Sequence, residues 1–551
     1  MSAKNVNSLF TVVGGGLSGL TAAYHLAQKL PAAGSSLNEP VAITLVESSN
    51  RLGGWVQSER KEIQNGISVL NEKGPRTLRL NGSRESKSIL QIIDDLNLHD
   101  QVVFTPKDSP ASLNKYIYHK GKMNSLPGKF SQIFSRFPPV LRPVVPAIFK
   151  DIFTRNNTPK DSLDESISSL LGRRFGNKID DYMVSAIMAG IYASDTKKLS
   201  ARMVTNQIFR ADRISGKIVT GIPKAQESIA YNVSQSAFLK DQFDSEANDW
   251  NRRVKNNEYF WSKVSTSSLI SFENGLQTLT DAIAADLKSR KNVNIISSNP
   301  CSNISKNKSS DHGAIVKLEN GTIINSGKVI NTAPLLASKK FFTSEEIKET
   351  QIPKIFSSTE YSSIVVVNLT YKGSNLTPYP GFGFLVPRST WSSLDAIGVV
   401  FDSCCLPEQD LGDPITRFTV MMGGPNFSNQ FPEISNSDNE KLIKMAIETV
   451  NTSLGIKSEI IDACCSIQKE CIPLYGVGYF DRLVGLQAWL KTWNGGLSVS
   501  GAAYGGPGIN SINLHSRDLA TQMISDLNVG DSLTHKYTIN PTGLDEILNL
   551  Y

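Results

Sequence analysis

The sequence has few cysteines, no long hydrophobic run and little net charge. Six cysteines in 551 residues, including the adjacent pairs Cys404-Cys405 and Cys464-Cys465, are too sparse for a disulfide scaffold and lack the CxxC spacing of a zinc site. No run of about 18 uncharged apolar residues occurs, so a membrane-spanning helix is not predicted. The net charge of +6 is spread along the chain, and nucleic acid is therefore not predicted as a partner.

The composition is otherwise that of a globular protein with about three domains, at roughly 100–200 residues per domain. The segment before the first predicted strand, Met1–Leu9, is too short for a signal peptide or an amphipathic presequence. Composition alone therefore predicts a soluble, cytosolic protein.

A strand, a glycine-rich turn and a helix follow one another near the N-terminus. Phe10–Val13 predicts the strand and Leu20–Ala27 predicts the helix. The glycines between them stand in GxGxxG register, in which the first allows a tight turn, the second lets the backbone approach a pyrophosphate, and the third lets helix and strand pack closely. The predicted cofactor-binding residues of this turn are Gly14, Gly15, Gly16, Leu17, Ser18 and Gly19.

A second motif follows the next predicted strand, Val41–Val46. This strand ends in Glu47, whose carboxylate can accept hydrogen bonds from ribose hydroxyls, and a loop insertion at Pro31–Pro40 explains its long distance from the turn. Two glycines after Arg51 offer a further backbone surface for a diphosphate or a flavin. Ordinary NAD dehydrogenases do not need that surface, so the pattern favours FAD. The predicted cofactor-binding residues here are Glu47, Ser48, Arg51, Gly54 and Trp55.

These two motifs resemble those of the flavin amine oxidase and phytoene desaturase superfamily. Further segments, among them Glu72–Arg79, Gly381–Pro387 and Cys471–Tyr475, resemble the protoporphyrinogen oxidase family in its mitochondrial, fungal form. The resemblance implies oxidation of protoporphyrinogen IX to protoporphyrin IX by molecular oxygen in haem biosynthesis, with six electrons removed and three hydrogen peroxides formed. Hydride would pass to the flavin N5, so no catalytic side chain is implied, and the six histidines are scattered singly.

The resemblance also implies one non-covalently bound FAD per chain. The Gly74–Thr77 segment would line the isoalloxazine ring, with Arg76 placed to favour negative charge on the reduced flavin, and Val293 would lie against the adenine end. The glycine-rich segment Gly501–Asn510 would bring backbone and a helix N-terminus beside the ring, and it has no cysteine for covalent attachment. The residues concerned are Gly74, Pro75, Arg76, Thr77, Val293, Ala502, Pro507, Gly508 and Ile509.

A large apolar macrocycle that carries carboxylates needs an apolar pocket and a cation. The resemblance assigns Phe382, Leu385 and Met421 to an apolar clamp. It also implies that Gly190 leaves room for a pyrrole ring, with Tyr192 as the aromatic neighbour.

The propionate-binding cation is where this sequence departs from the family. The family's arginine falls at about Pro106, which leaves Lys107 as the nearest cation. Lysine is a point charge without the bidentate fork of arginine, so Lys107 is predicted either to bind a propionate or to be solvated.

The predicted fold class is α/β (mixed α+β). It comprises a Rossmann-like FAD-binding domain of the amine oxidase superfamily, a mixed-sheet substrate domain and an all-α membrane-binding domain. The FAD-binding domain is predicted to be discontinuous, at residues 1–83, 267–345 and 485–551. The substrate domain is predicted at 84–119, 207–266 and 346–484, and the helical domain at 120–206.

The segment Asn124–Phe153 alternates apolar and aromatic residues with basic ones and is broken by prolines. It is too short and too charged to span a membrane but suits an interface, and the alternative is an internal helical pair. The resemblance implies monotopic attachment to the mitochondrial inner membrane, facing the intermembrane space. Ferrochelatase as a partner and a homodimer are compatible with the resemblance, whereas the oligomeric state itself stays open.

Charged and polar residues dominate Ala211–Lys263, which is longer than in the family's bacterial and animal forms. This insertion is predicted to be a solvated helix or a solvated loop, with disorder as a further alternative, and no chemical role is assigned to it.

Two alternative functions remain at this point. One is another flavin amine oxidase or carotenoid-type desaturase, and the other is a non-catalytic partner-binding protein of the GDP-dissociation-inhibitor type. Bound flavin would separate an enzyme from the second, and reaction with the porphyrinogen would separate the two enzymes.

Overall fold

The computed structural model describes residues 5–30, 41–63, 66–127, 138–159, 162–307, 313–342, 351–527 and 540–550. Two seven-stranded sheets and the helices that cover them confirm the predicted mixed α/β fold class. Within these ranges no helix combines the length and apolar character needed to cross a membrane. All six cysteines are free thiols, as the sequence predicts.

The first sheet has the strand order β10-β2-β1-β13-β12-β11, with β19 paired to β13. The pairings among β10, β2, β1, β13 and β19 are parallel, and the last four residues of β1, Phe10–Val13, are all buried, as expected for a strand covered on both faces. Its strands are β1 (Asn5–Val13), β2 (Val41–Val46), β10 (Val293–Ile296), β11 (Cys301–Lys306), β12 (Ala314–Leu318), β13 (Ile323–Asn331) and β19 (Leu497–Val499).

Helices cover this sheet and share its core. The most extensive helix–helix packing joins α1 to α20 near the C-terminus, so both ends of the chain build one unit. These helices are α1 (Leu17–Lys29), α2 (Arg84–Asp95), α13 (Gln277–Ser289), α14 (Leu335–Phe342), α15 (Ile355–Ser358), α19 (Tyr479–Lys491), α20 (Ile509–Leu527) and α21 (Asp545–Leu550). The sheet therefore draws on the three segments of the predicted discontinuous domain, while the domain boundaries stay predictions.

The second sheet has the strand order β18-β14-β17-β16-β15-β7-β8. Its centre is the run of β-branched residues Ile364–Val367 in β14, which pairs with β17 and β18. Its strands are β7 (Lys115–His119), β8 (Lys122–Leu126), β14 (Tyr361–Lys372), β15 (Gly383–Leu385), β16 (Gly398–Val400), β17 (Ile415–Gly423) and β18 (Ile460–Pro473), accompanied by helices α3 (Pro110–Leu113), α16 (Asp402–Cys405), α17 (Phe427–Gln430) and α18 (Asn439–Leu454).

Two small sheets link the two larger ones. One is the hairpin of β3 (Ser58–Glu62) and β4 (Ser68–Glu72), and the other has the order β5-β9-β6, with β5 (Leu78–Arg79), β9 (Ser267–Phe272) and β6 (Val102–Pro106). The chain between β4 and β5 contains the predicted ring-lining segment, which therefore lies where the two halves of the molecule meet.

A helical region precedes the insertion. It consists of α4 (Val144–Phe153), α5 (Ile167–Arg174), α6 (Asn177–Ile179), a π-helical turn (Asp180–Val184), α7 (Ser185–Tyr192), α8 (Ala201–Val204) and α9 (Asn206–Ser215). The fully buried Arg174 guanidinium donates to Asp151 at 2.6 Å, which fixes α4 to α5. Of the predicted interfacial segment, residues 128–137 lie outside the described residues.

The insertion is helical, as one of the predicted alternatives had it, and it is neither the loop nor the disordered segment that the others allowed. It forms α10 (Ile222–Gln235), α11 (Ala237–Asn256) and α12 (Glu258–Thr266). The Arg84 guanidinium of α2 holds Glu246 of α11 at 2.7 Å, and Arg517 of α20 reaches the same carboxylate. The charges that suggested solvation are therefore partly used as ion pairs that dock α11 onto the first domain.

Candidate active site

The turn between β1 and α1 forms an open cradle. An added Cβ at Gly19 would lie 1.7 Å from the Gly14 carbonyl oxygen, so only glycine permits this contact between helix and turn. At Gly16, by contrast, the nearest atom to an added Cβ is the Gly54 Cα at 3.8 Å. Gly16 thus faces a space that a side chain would fill, beside the N-terminus of α1, and this is the environment that a diphosphate requires.

The second motif closes this cradle. Gly53 donates its N–H to the Gly15 carbonyl at 2.8 Å, so the loop after Glu47 lies directly against the turn. The Arg51 guanidinium donates to the carbonyls of Leu52 at 3.0 Å and Val56 at 3.1 Å, and it also reaches Gly54. In these contacts Arg51 shapes the loop; its predicted contact with the cofactor stays a prediction.

Glu47 lies at the carboxyl end of β2 and is partly exposed. One carboxylate oxygen accepts the Gly15 N–H at 2.6 Å, and the other accepts the Ser49 N–H at 2.7 Å and the Ser48 hydroxyl at 3.1 Å. Because each oxygen can accept more than one hydrogen bond, ribose hydroxyls can still donate to Glu47. The cradle and this carboxylate have the arrangement that FAD requires, whereas the assignment of Gly14–Gly19 to its diphosphate and of Glu47 to its ribose stays a prediction.

Val293 lies away from the carboxyl end of β2, where Glu47 stands. It pairs with Ile43, whereas Ile296, three residues later in the same strand, pairs with Val46 next to Glu47. Val293 therefore occupies the start of β10, and its contact with adenine stays a prediction.

The predicted ring-lining segment, Gly74–Thr77, is held between the two halves of the molecule. Two amides of the second sheet reach the residues before it: Asn368 Nδ2 donates to the Glu72 carbonyl at 3.0 Å, and Gln468 Nε2 donates to the Lys73 carbonyl at 2.8 Å. On the other side an added Cβ at Gly74 would lie 2.2 Å from the carbonyl oxygen of Trp55, whose side chain is 45% exposed. The segment therefore touches both the cradle loop and the second sheet.

Arg76 is paired within the protein. Its guanidinium lies 3.2 Å from the Asp402 carboxylate, and both side chains are only 9% exposed. The other Asp402 oxygen accepts the Thr419 hydroxyl at 2.7 Å. Asp402 was not predicted as a site residue, and no motif in the sequence marks it. Its carboxylate offsets part of the positive charge that Arg76 was predicted to present to a reduced flavin.

A second buried carboxylate, Glu72, stands two residues before Gly74. It accepts hydrogen bonds from the Ser58 hydroxyl at 2.6 Å and from the Leu276 N–H at 2.8 Å. Burial raises the pKa of the Glu72 carboxyl from 4.5 to about 7. Glu72 therefore ties the β3–β4 hairpin to the chain after β9 and changes charge near neutral pH.

This pKa predicts a specific pH dependence of stability. Between about pH 4.5 and 7 the unfolded chain loses the Glu72 proton while the folded chain keeps it, so the unfolding free energy falls by about 3 kcal/mol as pH rises through this window. Urea unfolding of the wild type and of Glu72→Gln at pH 5 and pH 8 measures the difference, because the amide cannot titrate. Equal pH dependence in the two proteins would show that Glu72 titrates normally.

The C-terminal glycine turn is fixed by two tyrosines. The Tyr479 hydroxyl donates to the Ala503 carbonyl at 2.9 Å, and the Tyr475 hydroxyl donates to the Ala502 carbonyl. Both tyrosine side chains are buried. The following residues Pro507 and Gly508 lead into α20, which begins at Ile509 and is anchored by Asn510 Nδ2 on the Arg79 carbonyl at 2.9 Å. The predicted residues of this turn thus lie next to the chain that leaves the Gly74–Thr77 segment.

Three of the predicted substrate residues meet at the second sheet. An added Cβ at Gly190 would lie 2.6 Å from a Leu385 methyl group, so glycine at 190 allows α7 to pack against Leu385. Leu385 pairs with Gly398, and Gly398 pairs with Met421, in one row across β15, β16 and β17.

This row lies on the face of the second sheet that contacts the chain just before the ring-lining segment. Met421 pairs with Val366, and Val366 lies on the same face of β14 as Asn368, whose amide contacts the Glu72 carbonyl. The apolar side chains of the row therefore share a sheet face with the contact to Glu72, two residues before Gly74.

Phe382 adjoins this row, because it packs with Met421 against a small apolar cluster that includes Val103 and Cys405. Tyr192 packs elsewhere, and its ring centroid lies 6.1 Å from that of Tyr475. The structure thus brings Phe382, Leu385 and Met421 together, whereas none of the described contacts joins Tyr192 to them.

Lys107 is placed elsewhere. Its side chain is exposed, and its ammonium donates to the Ser265 carbonyl at 2.6 Å, at the end of α12. The predicted contact with a propionate stays a prediction.

The histidines that the structure describes show no catalytic arrangement. His25 is buried and bonded to Asn513, and burial lowers its pKa to about 3, so it stays neutral. His99 pairs with Asp94 at 2.8 Å at the end of α2, a carboxylate partner that the sequence pattern did not reveal. His312 lies outside the described residues. In the described ranges no group of three metal-ligating side chains occurs.

Comparison with known proteins adds independent evidence. Residues 17–468 match the family described as flavin containing amine oxidoreductase. The protoporphyrinogen oxidase of Schizosaccharomyces pombe is 29% identical over 94% of this chain and 99% of its own, and that of Homo sapiens is 27% identical over 93% and 98%. A crystal structure of a protein from Exiguobacterium sp. 255-15 covers 96% of this chain and 99% of its own with a TM-score of 0.66 at 17% identity, which supports the fold.

Proposed function

The chain belongs to the flavin containing amine oxidoreductase family, and we propose that it oxidises protoporphyrinogen IX to protoporphyrin IX with FAD and molecular oxygen in haem biosynthesis. Near-full-length similarity to protoporphyrinogen oxidases from fungi and animals supports this substrate. The observation that carries the proposal is the apolar row across the second sheet, in which Leu385 and Met421 share the sheet face that contacts Glu72, two residues before the predicted ring-lining segment.

In this reaction the protein would mainly enclose and orient the substrate, and it would not need a side chain that transfers protons. When bound, FAD would supply the two-electron acceptor that oxygen then regenerates. Each of three rounds removes two electrons and two protons from the porphyrinogen and converts one oxygen molecule to hydrogen peroxide. The apolar row and Phe382 would hold the macrocycle, while Glu47 and Gly14–Gly19 hold the cofactor without a covalent bond.

Steady-state turnover tests this proposal. Purified FAD-loaded protein should consume three oxygen molecules and form three hydrogen peroxide molecules for each protoporphyrin IX. A primary amine or a carotenoid precursor should give no oxygen uptake. Turnover of either of those compounds, without reaction of the porphyrinogen, would favour the alternative enzyme.

We further propose that the helical region rests on a membrane surface. Phe149 and Phe153 of α4 are 54% and 77% exposed, and their rings stack at 6.3 Å. Lys150 lies between them, and Arg142 precedes the helix, so aromatic and basic groups occur together as at a lipid interface. The mitochondrial inner membrane, on its intermembrane-space side, is the location that the sequence resemblance favours.

Changing both phenylalanines to serine should weaken the binding of the protein to anionic vesicles about tenfold, because about 1.4 kcal/mol of apolar burial is lost. Vesicle sedimentation measures the partition. Tyr231→Ser is the matched control, since Tyr231 is also exposed, at 64%, but lies on α10. If the control weakens binding as much as the Phe149 and Phe153 changes, α4 is not the contact.

A further inference from the structure

A cavity lies outside the proposed active site. It has a volume of about 680 Å³, is partly open to solvent, and is lined by α2, the C-terminal half of α11, α12, the first residue of β9, residues 80–82 and Lys107. None of its lining residues belongs to the glycine turn, to Gly74–Thr77, to the second sheet or to the turn at 501–508. Pockets of this size accommodate organic ligands of moderate size.

The body of the cavity is apolar and aromatic. Leu80 and Leu90 supply aliphatic wall, and Trp250 and Trp261 face each other edge to face with ring centroids 4.6 Å apart. Two tryptophans on adjoining helices provide a broad surface against which an alkyl chain or a flat ring can pack.

Two ammonium groups line the same cavity. Lys87 Nζ lies 5.2 Å from the Trp250 ring centroid, and none of the described carboxylates lies within ion-pairing distance of it. Lys107 donates one hydrogen bond to the Ser265 carbonyl, which leaves two of its three N–H donors for another acceptor. Glu258 is the one carboxylate among the lining residues, so the described lining carries an excess of positive charge.

We propose that this cavity binds an amphipathic organic carboxylate, with its carboxylate at Lys87 and Lys107 and its apolar body against Leu80, Leu90 and the two tryptophans. A bare inorganic anion would leave the aromatic walls uncovered, and a neutral hydrocarbon would leave both ammonium groups without an anionic partner. A fatty acid and a porphyrin carboxylate share this chemistry. The proposal is independent of the reaction at the flavin site.

Calorimetric titration of the full-length, FAD-loaded protein tests the site, with laurate and mesoporphyrin as the two probes. We expect one saturable site for at least one probe, and at least tenfold weaker binding of that probe to Lys87→Glu. Dodecanol, which has the same chain as laurate without its charge, should bind at least tenfold more weakly than laurate. If the binding of laurate depends on Lys87, the ligand is a fatty acid; if the binding of mesoporphyrin does, the ligand is a porphyrin carboxylate.

The variant with Phe149→Ser and Phe153→Ser is the matched control, because it removes the other place where apolar and basic groups meet. Its affinity for the probe should equal that of the wild type. Three results would each overturn the proposal: binding of neither probe, equal affinity in Lys87→Glu, or loss of binding in the Phe149 and Phe153 variant alone. Trp250→Phe should reduce the tryptophan fluorescence change on binding, and an unchanged signal would also contradict the assigned walls.

Discussion

Replacing Gly16 by valine should give a folded protein that does not retain FAD. The space beside Gly16 is open on the protein side, since an added Cβ meets only the Gly54 Cα at 3.8 Å. The valine side chain would instead occupy the cradle in which the diphosphate must approach the backbone. We expect the FAD affinity to fall at least about 100-fold, which corresponds to about 2.7 kcal/mol. Flavin absorbance after gel filtration and titration of the apoprotein with FAD measure the loss, and circular dichroism checks the fold.

Two other glycines provide the controls. Gly485 on α19 has no atom within 4 Å of an added Cβ, so Gly485→Val should keep both fold and flavin. Gly19→Val should fail to fold, because its Cβ would lie 1.7 Å from the Gly14 carbonyl oxygen. A Gly16→Val protein that retains FAD like the Gly485 variant would place the diphosphate elsewhere.

Removing the Asp402 carboxylate should destabilise the protein by about 3–5 kcal/mol, because it leaves the Arg76 guanidinium buried without its partner. Urea unfolding of Asp402→Ala measures this loss. The exposed pair Lys372–Glu459 is the matched control, since at 69% and 67% exposure its loss should change stability by at most about 1 kcal/mol.

The same change should affect the flavin. Without Asp402 the full positive charge of Arg76 would act on the predicted ring site and favour a negatively charged reduced state. We therefore expect a more positive flavin midpoint potential in Asp402→Ala than in the wild type. If Asp402→Ala is no less stable than Glu459→Ala and has an unchanged potential, the pair has neither role.

The sequence predicted those parts of the site that are local in the chain. The cradle follows from Phe10–Ala27 because strand, turn and helix are adjacent, and the loop after Glu47 follows from the next strand. The fold class was also confirmed, because it was inferred from local motifs that follow one another in a fixed order along the chain. The pairing of Arg76 with Asp402 joins residues 326 positions apart, and no local pattern reveals which carboxylate a buried arginine will meet.

The insertion shows the same limit. Its charged composition indicated solvation, but Glu246 meets Arg84, 162 positions away, and this ion pair helps to dock α11. The propionate-binding cation, the membrane face and the mitochondrial location stay predictions, because each depends on a partner outside the chain.

Anaerobic mixing of the FAD-loaded protein with protoporphyrinogen IX tests directly whether this protein oxidises that substrate. We expect the visible flavin absorption to be bleached on mixing and restored by oxygen, with protoporphyrin IX fluorescence appearing in step. A flavin that stays oxidised in the presence of excess protoporphyrinogen IX would contradict the proposed function.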